Sequence, residues 1–551
     1  MQEFSKKNAL DYLILGVVFL IPLIWSKYLN ANYYSAKFFL VYLISSVSLF
    51  ASSRRLVWPQ LPRFLGFSLF LLALLHFASP FLTGNWVHVF YIFKFLSFVF
   101  LAYYFYSLQI DLPGFLKKYD FILLIVSSLI LAFALNDFYI SRIQNSDITS
   151  GFLLGSFGNV NMMSEFLILS LPLLHLWART ETNISAFIKY ALLFGWFFFI
   201  IYSRSRSAWI GLGFWSLWSL AFKKLNWKEV ALLVAALLLY QGMFLLPFDT
   251  NSSVNSKGES FRQRLHLYTT TLKMIWDHPF GVGVGQFFNQ IIPYLVNSDF
   301  RPMEFIFFDQ PHSEVLKWAA QFGWIGFILP PVVISFLFYF AAKANHFFLT
   351  SSFLAILPQI LFQFPFENPA SLLYLAFLFA LSLQLFPVAK SIPLSYKIRT
   401  LFAIVALVGI AHAFAFVTAI FWETSHGNDM DTINTACEIY PVNISACFNR
   451  EQHLLANRRL TEARLAFIED FNKFPFHAGL MRLLPSYLKA TSTDQKTCEA
   501  VLEYNYVFAD QTFFDSNLLQ SCSVYKVPVV HHDPQQFETD YLKWQKEILR
   551  Q

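Results

Sequence analysis

Residues 246–322 read LPFDTNSSVNSKGESFRQRLHLYTTTLKMIWDHPFGVGVGQFFNQIIPYLVNSDFRPMEFIFFDQPHSEVLKWAAQF, the one long polar interruption in a nearly unbroken series of apolar segments. It carries Arg262, Arg264, a Gly-X-Gly-X-Gly run at Gly281, Gly283 and Gly285, and His312 just ahead of the next apolar helix. What surrounds it decides the fold class. The chain is 56% hydrophobic, 19% aromatic and 13% charged, with a mean hydropathy of +0.49. Soluble domains carry about 25% charged residues to cover their surface. The composition therefore specifies an all-α polytopic membrane protein. The net charge of +6 says little about partners, because the placement of Lys and Arg matters more than their sum. No basic stripe or reader motif points to nucleic acid.

A bilayer-spanning helix needs about 20 mostly apolar residues. Working outward from the interruption, the pattern predicts about thirteen, near 12–29, 37–52, 63–82, 86–108, 119–136, 160–178, 185–202, 206–222, 229–247, 322–342, 348–364, 370–387 and 400–421. Lys6 and Lys7 precede the first, which more spans follow, so it reads as a retained anchor. Alternate loops carry Arg54, Arg55 and Arg63; Lys117 and Lys118; Arg179 and Lys189; Lys223, Lys224 and Lys228; Lys343; and Lys390, Lys397 and Arg399. The intervening loops FASPFLTGN and PFENPAS lack positive charge. The positive-inside rule then predicts a cytoplasmic N-terminus, with the 248–313 loop and the C-terminal part outside.

From Glu423 onward the composition becomes that of a soluble, helical domain, so the expected division is 1–421 and 422–551. TEARLAFIEDFNKFP followed by LMRLLPSYLKA resembles tetratricopeptide helix pairs. All four cysteines, Cys437, Cys447, Cys498 and Cys522, lie in this part. An even number clustered in one polar domain predicts two disulfides in an oxidising compartment, with three possible pairings.

Arg204 and Arg206, in IYSRSRSAWIGL, fall on the outer face, where the positive-inside rule disfavours them. They either snorkel to lipid headgroups or bind phosphate through the planar guanidinium. Arg264 opens the amphipathic stretch RLHLYTTTLKMIWDHP, which reads as a helix along the outer membrane surface. GVGVGQF has neither the spacing nor the preceding strand of a dinucleotide site and reads as a tight turn after a proline. His312 is placed near a helix N-terminus, which disfavours its imidazolium form and leaves the ring able to accept a proton. Glu165 and Asn161, in NVNMMSEFLILSLPLL, are secondary candidates, since an intramembrane carboxylate is functional by default unless it pairs with a neighbouring helix.

Taken together, GSFGNVNMMSEFLILSLPL, SRSRSAWIGLG, RLHLYTTTLKMIWDHPFGVGVGQF, HSEVLKWAAQFGWIGF and FQFPFENPASLLYLAFLFAL resemble, in order, the superfamily of O-antigen ligases, O-antigen polymerases and pilin-type O-oligosaccharyltransferases. The resemblance spans residues 155 to about 382. It implies a multi-pass protein of the bacterial inner membrane that takes a glycan from an undecaprenyl-diphosphate carrier. The acceptor would be lipid A-core, a growing glycan or a protein hydroxyl. By position, Arg206 and Arg264 would hold the diphosphate, with Arg204 and Arg262 competing for those roles, and His312 would activate the acceptor. Where the family often has Asn after that histidine, this chain has Ser313. No cofactor is expected, and two arginines neutralising the diphosphate would remove the need for a metal. A transporter or flippase is the competing class; it would favour inverted repeats and several charges deep in the spans, whereas no repeat is evident and the polar groups concentrate at one face.

Overall fold

The computed structural model describes residues 9–24, 35–52, 55–56, 59–83, 90–143, 157, 159–245, 253–296, 310–388, 392–393, 395–425, 429–440, 444–475, 478–491, 494–508, 522, 524–527, 529 and 533–550. In chain order the helices are α1 (Ala9–Leu20), α2 (Ser35–Ser52), α3 (Arg63–Thr83), α4 (Ile92–Ser107), α5 (Leu112–Lys118), α6 (Asp120–Ile143), α7 (Val160–Arg179) and α8 (Ala186–Tyr202). There follow α9 (Arg206–Ala221), α10 (Trp227–Leu245), α11 (Ser253–Asp277), α12 (Phe287–Val296), α13 (Glu314–Lys343), α14 (Phe347–Phe362), α15 (Pro369–Leu383) and α16 (Tyr396–Ser425). The C-terminal part adds α17 (Met430–Ile439), α18 (Ile444–Ala456), α19 (Leu460–Lys473), α20 (Ala478–Thr491), α21 (Asp494–Phe508) and α22 (Pro534–Arg550). Among the described residues the only sheet is a two-residue antiparallel ladder, β1 (Arg55–Leu56) with β2 (Ile392–Pro393).

Five described helices are long and apolar enough to cross a bilayer, or six if α4 and α5, bent by 95°, form one broken span. This is the helical membrane protein that the composition predicts. Several other expected spans correspond to shorter apolar helices, such as Ala186–Tyr202 and Phe347–Phe362. Sixteen helical residues, as in α14, rise about 24 Å, less than a hydrocarbon core of about 30 Å.

The chain divides into two compact units. The first comprises 1–72, 93–251 and 330–417. Its helices pack where side chains are small: a Cβ on Gly211 of α9 would lie 2.8 Å from the Ala355 carbonyl of α14 and 3.0 Å from Ile168 of α7. In α2 the Ser45, Ser46, Ser48 and Ser52 hydroxyls donate to carbonyls three or four residues back at 2.6–2.9 Å, which satisfies them without solvent.

The second unit comprises 73–92, 252–329 and 418–551. One hydrophobic core joins Leu267, Met274 and Ile275 of α11 and Phe287, Ile291 and Leu295 of α12 to Phe467, Leu484, Tyr504, Phe537 and Tyr541 of α19–α22. Two polar bonds accompany it, Gln290 Nε2 to Glu538 Oε1 (2.9 Å) and Asn289 Nδ2 to the Lys473 carbonyl (3.4 Å). The polar interruption and the C-terminal helices are thus built on one core. Both expected disulfides are present, paired Cys437–Cys447 and Cys498–Cys522.

The glycine run acquires its meaning in this unit. Gly281, Gly283 and Gly285 all have positive φ (82°, 95° and 78°), and α13 is broken at Gly323, with φ 64° and ψ −148°. A helix break frees carbonyls, and the turn takes them up. Val282 N–H donates to Ala320 O (2.7 Å), Gly283 N–H to Gln321 O (3.1 Å), and Trp324 N–H returns a bond to Pro279 O (3.1 Å). Val284 N–H donates to the Ser79 hydroxyl at 2.7 Å. The two backbones approach so closely that a Cβ on Gly323 would sit 1.9 Å from Pro279 O. Glycine at 281 and 323 is required by contact as well as by φ. The predicted tight turn is therefore a latch that holds the first segment of α13.

Candidate functional site

That first segment begins immediately after His312. Ser313 stands just ahead of α13, its hydroxyl accepting from Leu316 N–H at 3.4 Å, and Glu314, fully buried, occupies the first turn, where a carboxylate complements the helix dipole. Serine and asparagine are near-equivalent as N-caps, so a helix start here tolerates Ser313 in place of asparagine. His312 adopts φ 51°. Most other non-glycine residues in this region of the map, such as Lys223 and Asn345, follow a helix end, where a left-handed residue is ordinary. The described residues just ahead of His312, Gln310 and Pro311, are not helical, so its left-handed backbone is imposed by its surroundings, as at many functional sites.

One imposed contact is visible. Tyr268, one helical turn beyond Arg264 on α11, donates its hydroxyl to the His312 carbonyl at 2.9 Å. Arg264 is half-buried and near enough to act electrostatically on both. Burial, and then the Arg264 charge, lower the His312 imidazole from its ordinary 6.5 to about 4. The ring is neutral at physiological pH. Burial raises the Tyr268 phenol despite the opposing effect of Arg264, which keeps it a hydrogen-bond donor. The site is thus a guanidinium, a neutral imidazole and a tyrosine that ties their two elements together. Sequence reading missed Tyr268; its position four residues after Arg264, on nearly the same helix face, was the available signal.

Arg262 does not join this group in the same way. It is exposed, and two residues from Arg264 it points about 160° away around the helix. The structure brings Arg264 together with His312 and turns Arg262 elsewhere.

The remaining candidates lie in the first unit. Arg204 (φ 55°) follows the end of α8, its N–H donating to Ile201 O at 3.2 Å, so its backbone is that of an ordinary helix terminator. Arg206 is the first residue of α9 and is exposed. Between them Ser205 is buried, its hydroxyl 3.2 Å from that of Ser207. Glu165 is 1% exposed and accepts from Ser371 Oγ at 2.6 Å and Asn368 Nδ2 at 3.2 Å. Asn368 also donates to Met162 O (3.1 Å) and caps α15 by accepting from Ala370 N–H. This network fastens α7 to the start of α15. Asn161 is half-buried, and Asn159, which the sequence reading passed over, supplies the cap of α7 by accepting the Asn161 N–H at 2.8 Å. Lys94 is also paired with Glu367, beside the same helix start.

Residues 191–330 match the family model described as O-Antigen ligase, consistent with the superfamily whose motifs the sequence resembles. The matched stretch runs from within α8 into α13 and includes Arg204, Arg206, Arg262, Arg264 and His312, whereas Glu165 and Asn161 precede it. At a coarse level the match supports glycosyl transfer of the O-antigen ligase or polymerase type. No curated protein matches the chain.

Proposed function

We propose that this protein transfers a glycan from an undecaprenyl-diphosphate donor to an acceptor hydroxyl at the periplasmic face of the bacterial inner membrane, in the manner of an O-antigen ligase. The observation that carries this reading is the pairing of Arg264 with a neutral, strained His312 across a Tyr268 hydrogen bond. In the reaction the acceptor oxygen forms a bond to the anomeric carbon, the bond from that carbon to phosphate breaks, and undecaprenyl diphosphate departs. The acceptor proton passes to His312. Arg264 and Arg206 neutralise the charge developing on the diphosphate, where fixed donors contribute most in a partly desolvated site. The cationic role falls to arginine, so the mechanism calls for no metal ion.

The depressed basicity of His312 fits this sequence of events. Burial is its main cause and the Arg264 charge the lesser one, and a bound diphosphate would offset the second, raising the imidazole in part. Polymerase and protein oligosaccharyltransferase readings share this chemistry and differ in the acceptor.

The test is glycan transfer by purified, membrane-embedded protein without any ion gradient, which also separates a transferase from a flippase. Arg264→Lys retains charge but loses the planar fork, and its rate should fall steeply. His312→Ala should bind donor nearly as wild type and lose at least about a hundredfold in turnover. Wild-type transfer by His312→Ala would refute the base assignment.

A further inference from the structure

Helix α11 has two apolar faces, and the core uses one. Leu267, Met274 and Ile275 are buried in the second unit. Leu265, Leu272 and Trp276 are 53%, 45% and 73% exposed. At 100° per residue these three fall within about 40° of one another, roughly opposite the buried face. The stripe continues past the helix end to Phe280, 85% exposed, and Trp276 packs edge-on against Trp324 at 6.0 Å. Trp324, Ile325 and Ile328, also exposed, open the segment of α13 beyond its break, within a stretch apolar and long enough to span a bilayer. The apolar surface of α11 is thus continuous with that of a helix long and apolar enough to cross a bilayer. Along its edge, about 60–80° from the stripe, stand the exposed cations Arg262 and Lys273.

We propose that this face of α11, with Phe280 and the Trp324 turn, is seated in the lipid headgroup and upper acyl region of the bilayer, and that Arg262 and Lys273 engage lipid phosphates from its edge. Tryptophan, phenylalanine and leucine on one side with basic residues beside them are the composition of an interfacial helix, and long basic side chains snorkel from such a helix toward headgroups. A second copy of the chain or a protein partner would give the stripe no reason to continue onto a spanning helix. The arrangement assigns the two neighbouring arginines different ligands: Arg262 a lipid phosphate, and Arg264, on the far side of the helix, the site at His312. It also holds that site at the depth at which a lipid-borne diphosphate presents itself, a consequence that rests on the proposed function, whereas the seating itself does not.

All four cysteines are disulfide-bonded, so an introduced cysteine is the sole thiol. Full-length Leu272→Cys, Trp276→Cys and, as a water-exposed control on α22, Lys546→Cys would each carry a bimane label in nanodiscs of phosphatidylethanolamine and phosphatidylglycerol. Lipid brominated high on the acyl chain should extinguish fluorescence at 272 and 276 and leave 546 unchanged, while aqueous iodide should do the reverse. Iodide quenching at 272 and 276 equal to that at 546 would overturn the proposal, because the stripe would face water. Shielding from both quenchers would also overturn it, because another protein surface would then cover the stripe. Neither readout depends on glycan transfer, so failure of the catalytic reading leaves this test intact.

Discussion

Replacing Gly323 by alanine tests the latch that positions the segment after His312. The residue has φ 64° and ψ −148°, a region that glycine alone occupies without strain, at about 1–3 kcal/mol for another residue. The added Cβ would lie 1.9 Å from Pro279 O and 2.7 Å from Phe280 Cα, both backbone atoms. They cannot rotate away, so the turn must move and lose at least the Trp324 N–H to Pro279 O bond, a further cost of about 1 kcal/mol. The sum is about 3 kcal/mol, on the order of a hundredfold in the balance between the docked and undocked turn. The control is Gly213→Ala in α9, where a Cβ meets nothing within 4 Å and alanine favours the helix by up to about 1 kcal/mol. Detergent-purified variants would be followed by thermal unfolding and by glycan transfer. Gly323→Ala should unfold at clearly lower temperature and transfer poorly, while Gly213→Ala should match or exceed wild type. Equal unfolding of the two would refute the account of the glycine run as a backbone latch.

Tyr268→Phe removes only the hydroxyl bonded to His312 O, so turnover should fall by roughly fivefold, equivalent to about 1 kcal/mol, with KM little changed; an unaltered kcat would show that this bond does not position the base. His312 is neutral in the folded protein down to about pH 4, whereas an unfolded histidine takes a proton below about 6.5. The unfolded state binds more protons in that window, so stability should be full above pH 6.5 and decline as pH falls toward 4. His312→Gln should flatten this decline in pH-dependent unfolding, and an unchanged slope would remove His312 as its source. Alkaline phosphatase fused after Phe421 should be active and after Lys390 inactive, and the reverse pattern would invert the proposed topology.

Much of this protein is decided locally, and that part is readable from sequence. An apolar run of about 20 residues forms a helix in any context that lacks water, because each backbone polar group must find its partner within the segment. The helix starts at Arg206 and Glu314, the tight turn at Gly281, Gly283 and Gly285, and the oxidised cysteines follow from residue types and neighbours along the chain. Even the separation of Arg262 from Arg264 is implicit in helical geometry, although which side faces the histidine is not.

The rest depends on contacts between distant residues, and no local preference encodes them. Nothing near Gly323 announces that its helix breaks to receive a turn some forty residues earlier, since the carbonyls of Ala320 and Gln321 become available only through that docking. Glu165 is a candidate catalyst in sequence and a pin between α7 and α15 in the fold, because Ser371 and Asn368 reach it from more than 200 residues away. Four cysteines permit three pairings, and packing selects one. The polar interruption and the C-terminal helices look independent along the chain, yet α12 shares one apolar core with Phe467, Tyr504, Phe537 and their neighbours. Tyr268 could be any aromatic on an amphipathic helix until α13 brings the His312 carbonyl to its hydroxyl. Secondary structure here is set by each segment's own hydrogen bonds and burial, whereas the site is set by which segments meet.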